Sequence, residues 1–151
     1  MRAKLRLWYL KNRERQRALA AARWQTAEGK RKAYALIKKR YDSNPGFRLA
    51  CNLRSRMNGA IWRGYGSKSA GTLDLIGCTI PELMAHLESK FVPGMNWENR
   101  WQWVVDHVRP IVSFDLSDPA QQRACFHFSN LQPLWIEDNL RKGSRWTPHP
   151  A

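Results

Sequence analysis

The chain has 151 residues and a mass of 17.7 kDa, with 43% of its residues apolar, enough for one hydrophobic core and an appended segment but not for a two-domain enzyme. Lys and Arg number 26 against 12 Asp and Glu, a formal net charge of +14, which points away from a neutral metabolic enzyme and towards a polyanionic partner. The longest stretch without Asp, Glu, Lys or Arg, Ala124 to Ile136, is too short and polar for a bilayer, the basic N-terminus has no signal-peptide apolar run, and Cys51, Cys78 and Cys125 form no CxxC pair. These features predict a soluble protein of a reducing cytoplasm, without a disulfide framework or a cysteine-held zinc.

The charge is concentrated at one end. Residues 1 to 41 carry 14 Lys and Arg against Glu14 and Glu28. This segment is rich in Ala, Leu, Arg and Lys, and places Tyr34, Ile37 and Tyr41 at helical spacing. It reads as two basic helices broken near Gly29. Each Lys or Arg that neutralises a phosphate releases a counterion, so residues 1–45 are expected to form a basic helical arm tracking DNA, with Lys38, Lys39 and Arg40 among its phosphate contacts. A solvated face or basic tail would have the same composition.

Residues 46–100 read as a helical middle region. Asn44-Pro45-Gly46 is a turn signal, after which Leu49, Leu53, Met57 and Ala60 recur about one helical turn apart between Phe47 and Trp62. Arg54, Arg56 and Arg63 fall mostly off that stripe. Arg54 and Arg56 are candidate phosphate contacts, although arginines on a polar helix face are often only solvated. The loop containing Gly64, Gly66, Gly71 and Lys68 lacks the order GxxxxGK[ST], which excludes a phosphate-loop nucleotide site. Thr79-Ile80-Pro81-Glu82 is a capping box opening a helix with Leu83, Leu87 and Phe91 on one face, ended by Pro93 and Gly94. His86 on that helix has no second ligand four residues away and reads as a packing residue.

Residues 101–151 carry the chemistry. Trp103 to Pro110 suits a short buried strand delivering Asp106 and His107 at its end on opposite faces. A Ser/Asp/Pro-rich connection leads to a second apolar segment, His127 to Trp135. Ile136 to Gly143 then reads as a short helix stopped by glycine. His127, flanked by Phe126 and Phe128, reads as a partly buried hydrogen-bonded histidine, with a role at a scissile phosphate as the other reading. His149, between Pro148 and Pro150, is expected to be unstructured. The many tryptophans read as core, although basic chains rich in aromatics also stack single-stranded bases.

The words GMNWENRWQWVVDHVRP, FDLSDP and NLQPLWIEDNLRKG, in this order, resemble the HNH endonuclease family, specifically its small phage members. The resemblance covers about residues 47 to 145. It implies an α+β protein whose C-terminal module is a ββα-metal unit, with Asp106-His107 ending the first strand, Asn130 opening the second and Asn139 on the helix. The third position is Asn where many members have His, and the connection from His107 to Asn130 is longer than in minimal members. The resemblance also implies that Asn130 pins the loop and orients His107, and that Arg141 and Lys142 meet phosphates.

Chemistry gives the same assignment. Phosphodiester hydrolysis needs an activated water, neutralisation of charge on the phosphoryl oxygens, and help for the leaving 3′ oxygen. His107 is the natural base, since imidazole titrates near pH ~6.5. Asp106 and the Asn139 amide oxygen are hard ligands suited to one Mg²⁺ or Mn²⁺ completed by water and phosphate. The expectation is a metal-dependent DNA endonuclease in a bacterial host cytoplasm, a phage homing enzyme or a nuclease working with packaging proteins. The alternatives are a catalytically silent basic nucleic-acid-binding protein, or a nuclease acting on RNA or branched DNA.

Overall fold

The computed structural model describes residues 2–64 and 66–146; His149 lies outside the described residues. The protein is α+β, mostly helical with one two-stranded antiparallel sheet, and divides into two compact units, residues 1–44 and 45–151.

The first unit is two helices, α1 (Arg2–Gln25) and α2 (Ala27–Ser43). The break comes at Thr26, three residues before Gly29. The Thr26 hydroxyl donates to the Arg23 carbonyl at 2.8 Å and accepts from the Gly29 amide at 3.0 Å, closing one helix and capping the next. Gly29 sits inside the first turn of α2, where a Cβ would lie 2.0 Å from the Arg23 carbonyl oxygen. It is needed there for clearance between the helices. Apolar side chains including Trp8, Trp24, Tyr34 and Ile37 stay exposed, so amphipathic packing contributes little here.

The second unit begins with α3 (Pro45–Arg63), whose Leu49, Leu53, Met57, Ala60 and Ile61 are buried. A five-residue helix, α4 (Thr72–Ile76), follows and ends at Gly77 in the left-handed region (φ 75°). The capping box forms as read: the Thr79 hydroxyl accepts from the Glu82 amide, and the Glu82 carboxylate accepts from the Thr79 amide at 2.8 Å. That helix, α5 (Ile80–Glu88), stops at Ser89, before Pro93 and Gly94, leaving Phe91 beyond it and packed against Trp97 and Trp103. Strand β1 (Trp103–His107) precedes a connection that contains a 3₁₀ turn and a further helix, α6 (Pro119–Phe126), started by the Asp118 side chain on the Ala120 amide. Strand β2 (Leu131–Trp135) starts four residues later than the apolar run suggests, because Phe128–Asn130 turn as a 3₁₀ segment; α7 (Ile136–Lys142) follows directly.

One core joins all of this. Leu49, Leu53, Leu75, Leu83 and Leu87 from the helical middle pack with Trp103, Val105, Phe126 and Leu131 from the C-terminal segment, so residues 46–100 and 101–146 share their buried surface. Trp103 is fully buried, Trp97 and Trp135 pack on the core, and Trp101 is exposed. Burial pushes the Cys125 thiol up to about 12, leaving it unreactive at neutral pH.

Gln122 is fully buried on α6 and fully bonded. Its amide donates to the carbonyls of Ser67 and Leu116, both at 2.8 Å, and its oxygen accepts from the Ser69 amide and hydroxyl at 3.0 and 2.9 Å. One side chain thereby holds two loops against α6. Gln122→Leu should cost at least about 3 kcal/mol, because the side chain is replaced while its backbone partners stay buried without bonds. A denaturant midpoint within error of wild type would remove this role.

Candidate active site

β1 and β2 pair antiparallel, with Asp106 opposite Gln132 and His107 opposite Leu131. The flanking bonds Val108 N–H to Asn130 O (2.8 Å) and Ile136 N–H to Gln102 O (3.0 Å) show that even-numbered residues of β1 carry the ladder. Pro133 opposes Val105 at a non-bonded position, where its missing N–H costs the ladder nothing. Odd-numbered carbonyls of β1 therefore point outward, and each receives a cation. Arg100 donates to Trp103 O, Arg56 to Val105 O, and Lys142 to His107 O at 2.7 Å. On the outer edge of β2, Leu131 O is met by His86 Nε2 at 3.0 Å and Lys90 Nζ at 3.2 Å.

The side chains of Asp106 and His107 leave the strand on opposite faces. Asp106 Oδ2 accepts from Gln132 Nε2 and lies next to the Lys142 ammonium, both at 3.0 Å. Lys142 is on α7, and Asn139, half-buried, lies one turn before it on the same helix face. The face of α7 that carries Asn139 and Lys142 is thus the face turned to Asp106. Gln132 was missed by sequence reading. Its signal is the strand register: Asn130 opposite residue 108 puts residue 132 opposite residue 106.

His107 is 6% exposed, edge-on to Phe126 with ring centroids 5.9 Å apart, and its buried Nε2 has no hydrogen-bond partner among the described residues. Burial and then the Arg56 charge push its pKa down to about 4, against the opposing pull of Asp106, so the ring is neutral at pH 7. A buried polar nitrogen without a partner is costly, and such atoms commonly await a water, ion or ligand.

Asn130 ties the two ends of the β1–β2 connection. Its Oδ1 accepts from the Arg109 amide at 2.8 Å, and its Nδ2 donates to Cys125 O at 2.8 Å and to Arg109 O at 3.2 Å. None of these bonds reaches His107; they fix the backbone two residues after it. His127 caps the 3₁₀ turn: its Nδ1 pairs with Ser129 Oγ at 2.8 Å, and its ring lies where a Cβ on Gly77 would fall, 2.7 Å from Cδ2. That is a structural environment, built from the α4–α5 turn.

The candidate phosphate contacts divide. Arg54 and Lys39 are exposed, and Arg141 is exposed while paired with Asp138 at 2.7 Å. Lys38 is bonded to Asp42 at 2.6 Å, which holds its pKa above the usual lysine value, and Arg40, also on α2, is exposed. Arg56 and Lys142 each spend a donor on a β1 carbonyl.

Among the described residues no group of three or more His, Cys, Asp and Glu is close enough to hold a metal. A divalent ion here would take Asp106 and the Asn139 amide oxygen, and draw its remaining oxygens from water and phosphate, as Mg²⁺ commonly does. The hard oxygens of Asp106 and Asn139 suit such an ion, while the unpartnered Nε2 of His107 lies on the other face of β1, against Phe126.

A histidine whose pKa falls on folding contributes stability in full above its unfolded value near 6.5, and this is lost as pH falls towards 4. His107 should therefore account for about 3 kcal/mol of acid destabilisation across that interval. In His107→Leu, urea midpoints measured from pH 7 to pH 4 should fall less steeply than in wild type; parallel curves would refute the assignment.

No family model matches the chain, and no solved structure matches it. Two curated proteins of Acanthamoeba polyphaga mimivirus are similar to it: uncharacterized protein L246, 36% identical over 104 residues, and uncharacterized protein L426, 34% identical over 106 residues. The matched regions are 68% and 69% of this chain but 45% and 46% of those relatives, so the chain spans about half the length of each.

Proposed function

We propose that the chain is a metal-dependent DNA endonuclease of the HNH type. The observation that carries this reading is the arrangement of β1, β2 and α7, which sets the Asp106 carboxylate against the helix face of Asn139 and Lys142, with His107 on the adjoining strand position. Strand, strand and helix in that order, with an acid and an imidazole at the end of the first strand, are what the family's module requires.

When bound by Asp106 and Asn139, Mg²⁺ or Mn²⁺ would neutralise charge on the phosphoryl oxygens and help the 3′ oxygen leave. His107, neutral at pH 7, accepts the proton of the attacking water. Its pKa of about 4 is low for a general base, and a phosphate anion drawn up beside it raises that value towards the useful range. Asn130 keeps the backbone after His107 in place, and Arg54 and Arg141 contribute phosphate contacts. Residues 1–44 add sequence-independent affinity through their exposed Lys and Arg. The viral source of both relatives supports work on a viral genome, in homing or in processing before packaging.

The second reading, a silent nucleic-acid-binding protein, is favoured by one observation: the Lys142 ammonium already lies on the Asp106 carboxylate. Supercoiled plasmid incubated with purified protein separates the two. Nicked or linear product is expected with Mg²⁺ and not with EDTA. His107→Ala should lower the rate at least about 100-fold while DNA affinity stays within about twofold. Plasmid left intact by wild type with Mg²⁺ and with Mn²⁺ would refute the nuclease, and parallel digests of branched DNA and RNA identify the substrate form.

Binding should also report on α2. Lys39→Ala should flatten the slope of log K against log salt by about 0.9 if one phosphate contact is lost, and Lys38→Ala by less, because Lys38 is held by Asp42. Unchanged slopes in both would make this face of α2 a solvated one.

A further inference from the structure

The Asp106 carboxylate is bonded asymmetrically. Among the described residues its side-chain partners, Gln132 Nε2 and Lys142 Nζ, both approach Oδ2 at 3.0 Å. The Oδ1 atom takes part in neither contact. The Lys142 and Asp106 side chains are 19% and 12% exposed, so this pair is largely out of water and weakly screened. Lys142 is held there by a second bond, to the His107 carbonyl at 2.7 Å, which fixes the ammonium at the end of β1. The lysine is therefore tethered to the strand on which Asp106 sits, and does not depend on the carboxylate alone for its position.

We propose that Lys142 is a built-in countercation that sets how tightly the Asp106 site takes a divalent ion. This rests on the metal-dependent reading above. A carboxylate brought this far out of water needs a positive charge; Lys142 supplies it on Oδ2, leaving Oδ1 for an incoming cation. A divalent ion on Oδ1 then sits within a few ångströms of an ammonium that cannot swing into solvent without giving up the His107 carbonyl. Repulsion between the two weakens the ion's hold, so the protein keeps the Asp106 side chain in place without metal while binding metal only loosely. Lys142 thus acts through Asp106 and is a positioning residue, with no part in bond breaking.

The test is calorimetric titration of the full chain with Mn²⁺ in the absence of nucleic acid, together with thermal melting of the metal-free protein. Lys142→Met should bind Mn²⁺ at least about tenfold more tightly than wild type, melt lower without metal, and recover on adding Mn²⁺. Lys142→Arg, which keeps the charge, should bind Mn²⁺ as wild type does. Lys142→Gln is neutral but can still donate to the His107 carbonyl; it should also tighten binding, and serves if Lys142→Met does not fold. Asp106→Asn should abolish Mn²⁺ uptake in wild-type and Lys142→Gln backgrounds alike. If Asp106→Asn abolishes uptake but neither neutral Lys142 variant binds more tightly, the countercation is refuted and the metal site stands. If no variant binds Mn²⁺ and Asp106→Asn changes nothing, the metal site is refuted and the countercation with it.

Discussion

A two-stranded sheet leaves every second carbonyl of each strand without a partner, and in this protein the fate of those groups governs much of the second unit. Buried carbonyls without donors would be costly, and exposed ones would offer an edge to another strand. Here Arg100, Arg56 and Lys142 take the three outward carbonyls of β1, and His86 with Lys90 takes the first of β2. These donors come from α3, α5, α7 and the loop before β1, so the same bonds that close the edges also fasten the surrounding elements to the strands. Several of the chain's basic side chains are therefore held in place by the fold through one of their donors.

The same bonds set the electrostatics around the Asp106–His107 pair. Arg56 reaches the carbonyl just before Asp106, and its charge helps keep the neighbouring imidazole neutral. Asp106, on the other face, is compensated by Lys142 and Gln132. Two adjacent residues thus receive opposite treatment because strand alternation sends them to different surroundings, one apolar beside Phe126 and one polar beside α7.

What the sequence made legible was local. The stripe in α3, the Thr79–Glu82 box, β1 and the glycine stop of α7 depend on residues within a few positions of one another, and these elements lie where periodicity and capping put them. The placement of α4 and α6 was not legible. Both are short, and α6 is recognisable only after Asp118 is seen to cap it and Gln122 to be buried. The start of β2 was misplaced because the apolar run does not betray the 3₁₀ turn, which is held by His127, Ser129 and the long-range bonds of Asn130. Around the site, Asp106 and His107 could be named from their order alone, whereas Gln132 requires the register and the engagement of Arg56 and Lys142 requires tertiary contact. A basic side chain on a helix reads identically whether it meets a phosphate or a carbonyl.

The order of chain positions around Asp106 has a consequence for how the site comes into being. Strand pairing joins residues 103–107 to 131–135 across a connection that must itself fold, and Asn130 closes that connection by bonding to residues 109 and 125. Loop closure of this length is an entropic cost met before the contacts form, which makes the step slow relative to forming α3 or α5. During synthesis Asp106 emerges before Gln132 and Lys142, so the carboxylate has neither its cross-strand glutamine nor its lysine until α7 has left the ribosome. The arrangement thereby exists only once both strands and α7 are in place, and a partly unfolded molecule does not carry it.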